Sequence, residues 1–239
     1  MGTYGKPDGV DYDQLIADAK PVDTLPPHCF PLDIVVDAEK LQTSFVELIN
    51  RLGFDYDEFM EQEAARSLKL QRTVMKADAA IAWDINLNHL PHLTGADRWG
   101  KHRGQFEHIF AEGVTPADYT KLLDELDGLY IKAVVESVYA HHAQKYNREF
   151  KGKAGIIWIG PRQGYNFHWD APRTPIRYHV PIFTNELALW LFKDNDSTDI
   201  FKMHMPVGTA WEFYPVSIEH TVINQGDSIR AHMIITEVN

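Results

Sequence analysis

Apolar residues along this chain follow two different rhythms. The first thirty positions are polar and proline-containing, ending in TLPPHCFPL, and predict an irregular arm with one short helix near Tyr12–Lys20. A clear helix follows. Asp37 is placed as its N-cap, Leu41, Phe45, Leu48, Ile49 and Leu52 share one 3.6-period face, and Gly53 stands where a terminating glycine belongs. The acidic stretch 55–66 reads as helical too. KLQRTVM (69–75) and AIAWDI (80–85) read as strands, and 86–113, rich in His, Gly and Asn, as a long loop region. A second long helix is expected from Thr115-Pro116, an N-cap followed by proline at the first helical position, with Tyr119, Leu122, Leu126, Tyr130, Val134 and Val138 on its apolar face. Gly128 falls inside that pattern as a point of weakness or a kink.

After about residue 153 the rhythm shortens. GIIWIG, YNFHW, IRYHVPIF, LALWLF, IFKMHMP, TAWEFYP, EHTVIN and SIRAHMIITEV are short apolar or alternating runs separated by turns, the pattern of a β-sandwich or barrel. The expected organisation is one domain over 1–239. A helix-rich part, 1–152, packs against the outside of a β-rich core, 153–239.

Composition narrows the function classes. At 44% hydrophobic, 12% aromatic and 24% charged residues, the chain has the make-up of a soluble globular protein. No apolar run reaches membrane-spanning length, and the N-terminal segment has neither a basic nor an apolar stretch of the secretory kind. Gly2 is not followed by the Ser/Thr that myristoylation requires. A cytoplasmic location is therefore expected. Cys29 is the single cysteine, so no intrachain disulfide and no cysteine-built metal site is available. The formal net charge of −11 argues against general nucleic-acid binding but leaves room for a local basic pocket.

The candidate chemistry begins at His168-Trp169-Asp170. An H-x-D alone means little in a chain with 12 histidines. On a strand, however, i and i+2 point to one face and can share an ion. One more histidine completes a 2-His-1-carboxylate set, which leaves open positions on Fe(II) for a chelating ligand and O₂. His179, His204, His220 and His232 are the candidates for the third ligand. His220 is favoured on register. If Gln225-Gly226-Asp227 closes a hairpin with Asn224 opposite Ser228, Val222 faces Arg230 and His220 faces His232. Arg230 then shares a face with His220, one pair further along, whereas a two-residue loop would invert it. Arginine is suited to a distal carboxylate because its planar fork binds in two places and stays charged. Arg177 and His179 form a further i, i+2 pair on the neighbouring strand.

Together, His168-x-Asp170, Arg177-x-His179, His220 and Arg230 resemble the aspartyl/asparaginyl β-hydroxylase family of Fe(II)/2-oxoglutarate-dependent oxygenases. Arg177 and His179 lie nine and eleven residues after His168, and Arg230 lies ten after His220. The resemblance covers roughly 153–239, with a looser likeness over Phe30–Leu52. It implies a double-stranded β-helix (jelly-roll) fold, with His168, Asp170 and His220 as Fe(II) ligands and Arg230 on the distal carboxylate of 2-oxoglutarate. It also implies that His179 contacts the co-substrate and Arg177 either the co-substrate or the substrate. The implied reaction uses O₂ to hydroxylate an unactivated C–H, with succinate and CO₂ as co-products. Animal members acting on epidermal-growth-factor-like domains lack the carboxylate ligand, so Asp170 makes the chain more similar to bacterial members, some of which act on free amino acids. A hydroxyl-bearing residue of the animal enzymes falls near Ile157 here, a departure from the pattern.

The expected substrate is a small molecule or an amino acid, free or in a peptide. Arg162, Trp158, Tyr165 and Trp211 are candidate substrate residues, and Trp169, Trp190 and Phe213 further candidates for an apolar wall. Plainer readings stand beside these. Arg162 also reads as a solvated loop arginine, Arg177 as a structural ion pair, His179 as a core histidine and the aromatics as core. Asp194–Asp199 lacks the glycine and terminal glutamate of a calcium loop and reads as a polar turn. His89, His92, His102 and His108 read as surface loop. Two rival functions remain: a non-catalytic metal-binding jelly roll, and a cupin-type dioxygenase that needs no co-substrate.

Overall fold

The computed structural model describes residues 11–22, 28–53, 55–61, 83–87, 121–164, 167–170, 175–193 and 199–238. The expected strand at 69–75, the loop histidines between 89 and 108, the 115–116 helix start, Tyr165 and the turn at 194–198 lie outside the described residues. So does the side chain of Trp158.

Local capping rules place the first helices as expected. α1 (Tyr12–Asp18) starts at Asp11, whose side chain accepts from the N–H groups of Asp13 and Gln14 at 3.0 and 3.2 Å. α2 (Ala38–Arg51) starts at Asp37, which accepts from Lys40 N–H at 3.1 Å. The chain leaves α2 through Gly53 at φ +85°. Residues 56–61 are helical.

The second long helix corrects the sequence reading. α3 runs Tyr130–Tyr146, so it begins well after 115–116. Gly128 sits at φ +78°, a left-handed conformation that an α-helix does not pass through, and Asp124–Leu126 before it form a 3₁₀ turn. Leu123 N–H donates instead to the carbonyl of Leu87 at 2.8 Å. The start of α3 has no side-chain cap of its own, and Ser44 Oγ of α2 accepts from Ile131 N–H at 3.0 Å.

Two sheets carry the rest. The first has the order β1 (Lys20–Pro21), β8 (Ile200–Met203), β7 (Ala188–Lys193), β10 (His220–Asn224), β5 (Gln163–Gly164). The second runs β2 (Cys29–Pro31), β9 (Trp211–Phe213), β6 (Arg177–Phe183), β11 (Arg230–Glu237), β4 (Gly152–Ile159), β3 (Trp83–Asn86). Pairing is antiparallel except between β1 and β8. The fold is mainly β with flanking helices, two sheets face to face as in a jelly roll. β3 falls on the strand expected at 80–85, whereas β1 and β2 add short strands to both sheets from the arm expected to be irregular.

The expected hairpin between β10 and β11 does not form. β10 pairs with β5 and β7, while β11 pairs with β4 and β6. The 225–229 connection therefore arches from one sheet to the other. Asn224 secures it, with its amide donating to the carbonyls of Ser228 (2.8 Å) and Ile159 (3.1 Å) and its Oδ1 accepting from Gly226 N–H (3.1 Å). A short glycine-containing link fits an arch as well as a hairpin. The partner strands decide.

Alternation then sorts the faces. On β11 and β6, Ala231, Met233, Ile235, Tyr178, Val180 and Ile182 pack in one cluster with Leu41, Phe45, Leu48 and Ile49 of α2 and Ile131, Val135 and Val138 of α3. Burying each such side chain contributes roughly 1.5–3 kcal/mol. Arg230, His232, Arg177 and His179 occupy the opposite face, which looks into the space between the sheets. A second cluster fills that space, with Trp190, Phe192, Met203 and Val222 from one sheet against Cys29, Ile159 and Phe213 from the other. Burial there pushes the Cys29 thiol up to about 12, so it stays protonated.

The helix-covered face also holds a buried polar network that the sequence did not announce. Glu212 of β9 is fully buried and accepts from Lys145 Nζ (2.5 Å), Tyr146 OH (2.9 Å) and Tyr214 OH (2.7 Å). His142 of α3 meets Tyr178 OH at 2.8 Å, and Arg148 pairs with Glu237 at 2.5 Å. These contacts tie α3 to β6 and β9, and the segment just after it to β11.

Candidate metal centre

His168 and His220 are joined through their backbones. His168 N–H donates to the His220 carbonyl at 2.9 Å and His220 N–H returns the bond at 3.0 Å, so the two form an isolated antiparallel bridge. The 167–170 segment is thus extended without belonging to a full strand. Asp170 N–H donates to the Pro215 carbonyl at 3.3 Å. The imidazole centroids of His168 and His220 lie 4.6 Å apart. Asp170 Oδ1 lies 3.8 Å from His168 Nε2, and its Oδ2 lies 4.0 Å from His220 Nε2. One ligand atom from each of the three side chains falls within 4.8 Å of the others.

The surroundings prepare the ligand atoms. His220 Nδ1 lies 3.0 Å from the Ile218 carbonyl. A carbonyl only accepts, so Nδ1 carries the proton and the Nε2 lone pair is left to the cluster. Trp190 stacks on the His220 ring (5.1 Å, 5° between planes), and Phe213 meets it edge-on at 4.8 Å. Burial, reinforced by His168, lowers His220 to about 3 against the opposing pull of Asp170, so the ring is neutral at physiological pH. Burial alone would raise Asp170. The Arg177 guanidinium outweighs it and keeps the carboxyl ionised, below its ordinary value. Two imidazoles and one carboxylate are the donor set that suits a divalent first-row metal such as Fe(II), with positions left for other ligands.

Arg177 Nη1 lies 2.7 Å from Asp170 Oδ2, with the two side chains 13% and 12% exposed. The guanidinium that the resemblance assigned to co-substrate or substrate therefore pairs with the Asp170 carboxylate here, as in the plainer ion-pair reading. His179 is 1% exposed and sits beside Trp190 (ring centroids 4.8 Å) and Phe213 (6.3 Å). Burial, with Arg177 and Arg230 adding, holds it well below its ordinary range. Arg230 is 2% exposed, and its Nη2 donates to His232 Nδ1 at 2.8 Å. His220 and Arg230 thus come from different sheets rather than from one ribbon.

Of the substrate candidates, Trp211 lies opposite His179 in the β6–β9 pairing, and its Nε1–H donates to Thr209 Oγ1 at 2.8 Å. Arg162 is half-exposed and pairs with Asp227 at 3.0 Å, the solvated loop arginine of the plainer reading. Trp158 pairs through its backbone with Ala231. Trp169, between two of the clustered residues, is 56% exposed. His204 is engaged elsewhere, with Nδ1 3.2 Å from the Ala188 carbonyl. His232, one of the four candidates for the third ligand, is instead bonded to Arg230. Its i, i+2 spacing from Arg230 was the signal that the two work side by side. Among the described residues, no helix is long and apolar enough to cross a membrane.

No family model matches the chain, and no curated protein matches it by sequence. Solved structures do. A prolyl-4-hydroxylase from Pseudomonas putida aligns at 11% identity over 91% of this chain and 97% of its own, with a TM-score of 0.47. An oxidoreductase of the 2OG-Fe(II) oxygenase family from Burkholderia pseudomallei aligns at 9% identity over 45% of this chain, with a TM-score of 0.39; the alignment spans 55% of that protein's length. A cupin domain from Bordetella pertussis aligns at 18% identity over 36% of this chain and 80% of its own, with a TM-score of 0.29. These likenesses are distant, and chemistry has to be read from the site's own residues.

Proposed function

We propose that the chain is an Fe(II)- and 2-oxoglutarate-dependent oxygenase that hydroxylates an unactivated C–H of a small molecule or of an amino acid, free or peptidyl. The observation that carries this reading is the His168–Asp170–His220 cluster, with its Nε2 and carboxylate atoms gathered at one end of an inter-sheet space that also contains the buried cation Arg230. Fe(II), 2-oxoglutarate and O₂, when bound, supply an oxidant for unactivated C–H bonds and leave succinate and CO₂ as co-products.

The chain's own part is placement. His168, Asp170 and His220 would hold the metal. The Ile218 carbonyl fixes the His220 tautomer, and Arg177 keeps Asp170 ionised while holding one of its oxygens. Arg230 offers a distal carboxylate a charged, two-pronged donor in a site with little water to compete. Trp190 and Phe213 close the space around His220 and exclude solvent.

An anaerobic titration with Fe(II) and 2-oxoglutarate tests the reading. The wild type should develop a weak visible charge-transfer band, absent in His168→Ala and diminished in Arg230→Ala. No band and no succinate formation refutes it and leaves a non-catalytic metal-binding jelly roll. Oxygen uptake that needs the metal but not 2-oxoglutarate would instead mark a cupin-type dioxygenase.

A further inference from the structure

Around Arg230, the space between the sheets offers more hydrogen-bond donors than acceptors among the described residues. A guanidinium has only protons to give, so in the 2.8 Å contact between Arg230 Nη2 and His232 Nδ1 the imidazole nitrogen accepts. The ring's proton must therefore sit on Nε2. His232 is 1% exposed, and among the described residues that Nε2–H has no hydrogen-bond partner. Ile157, opposite it on β4, has no side-chain acceptor to offer. His179, with its ring centroid 6.0 Å away, has neither nitrogen engaged, and the Trp190 Nε1–H beside it is also unpaired. Buried donors are normally satisfied, so three around one interior space, two from one sheet and one from the other, indicate a missing acceptor-rich ligand. The wall is continuous with the metal centre, running from His232 to His179, to Trp190 and on to His220.

We propose that His232, locked by Arg230 as its Nε2–H tautomer, is a positioning residue that keeps the guanidinium turned toward the distal carboxylate, while its own Nε2–H, on the far side of the ring, donates to the bound ligand. This rests on the oxygenase reading above, which supplies a dicarboxylate co-substrate. The arrangement needs a neutral ring, because only a neutral imidazole accepts at Nδ1 while donating at Nε2.

Binding to the anaerobic Fe(II) protein is measured for 2-oxoglutarate and for 2-oxobutanoate, which keeps the keto acid and lacks the distal carboxylate. His232→Leu should weaken 2-oxoglutarate about ten- to hundredfold, the range for a lost hydrogen bond to a charged group, and leave 2-oxobutanoate within about twofold. His232→Gln, with both an acceptor and a donor, should recover part of the loss. Equal weakening of both keto acids, or none of either, overturns the proposal. Independently of any variant, long-range ¹H–¹⁵N spectra of histidine-labelled wild type should show His232 protonated at Nε2, with that proton shifting when 2-oxoglutarate is added. The Nδ1–H tautomer would refute it. If the wild type binds no 2-oxoglutarate, the oxygenase reading itself fails. If Arg230→Ala loses binding while His232→Leu keeps it, only the role of His232 falls.

Discussion

Replacing Arg177 by Met in the metal-free protein should cost far more than the loss of a surface ion pair. Arg177 and Asp170 are both largely buried, 2.7 Å apart at their nearest atoms. With charge centres roughly 4 Å apart and an effective dielectric of about 20, their attraction is on the order of 4 kcal/mol. Desolvation offsets much of that, so the intact pair adds little net stability. Stripping away one partner strands the other charge, which typically costs about 3–5 kcal/mol. Arg177→Met is therefore expected to lose about 3 kcal/mol at pH 7, and Asp170→Asn a similar amount. The double variant should lose much less than the two together, with a coupling of about 2 kcal/mol. Urea unfolding of the four proteins in chelator measures this, provided that the slopes agree. The pH dependence has a definite sign. Arg177 is what overcomes burial and holds the Asp170 carboxyl below its ordinary 3.8. Stability from a depressed carboxyl is present above that unfolded value and lost as pH falls through the folded one. Without Arg177, burial dominates and the carboxyl moves up, so the gap between wild type and variant should narrow as the medium turns acid. Additivity within about 0.5 kcal/mol would refute the reasoning. Arg177 would then be available to a co-substrate or substrate, as the family resemblance implies.

A methyl group placed on Gly128 would meet open space, so Gly128→Ala should clash with nothing and still lose about 1 kcal/mol, from the φ of +78° alone. An unchanged thermal midpoint would mean that the start of α3 does not depend on that left-handed turn. His142 sits on the buried face of α3, where burial, with Arg148 adding and Glu212 opposing, lowers it to about 4 from 6.5. The unfolded chain takes up its proton near 6.5 and the folded one only near 4, so stability should drain away between those values, by on the order of 3 kcal/mol. His142→Phe should flatten that part of the urea-midpoint profile, and an unaltered slope would show that the ring is not buried as a neutral group.

The gathering of His168, Asp170 and His220 was legible in the sequence, but not through the hairpin register. That register put His220 and Arg230 on one face of a shared ribbon, whereas the two strands lie in opposite sheets. What carried over is parity. Period-2 alternation places His220 with Val222, and Arg230 with His232, whichever strands pair, and both sets end up on interior faces. Sheet membership is a long-range property, set by β7 and β6 as partners, and a local pattern does not contain it. The helix start failed in the opposite direction. Leu122, Leu126, Tyr130, Val134 and Val138 keep an unbroken i+4 spacing across Gly128, so periodicity ran straight through a backbone reversal that one glycine makes. The Glu212 network was hidden for a third reason. Its members come from α3 and three strands, and on β6 the adjacent Tyr178 and His179 point into two different buried polar environments. A strand covered on both faces has no solvent side to calibrate its alternation. The sequence could separate Arg177 and His179 from Tyr178, but only the packing of α2 and α3 on one face establishes that the arginine and histidine look inward, toward Asp170 and Arg230.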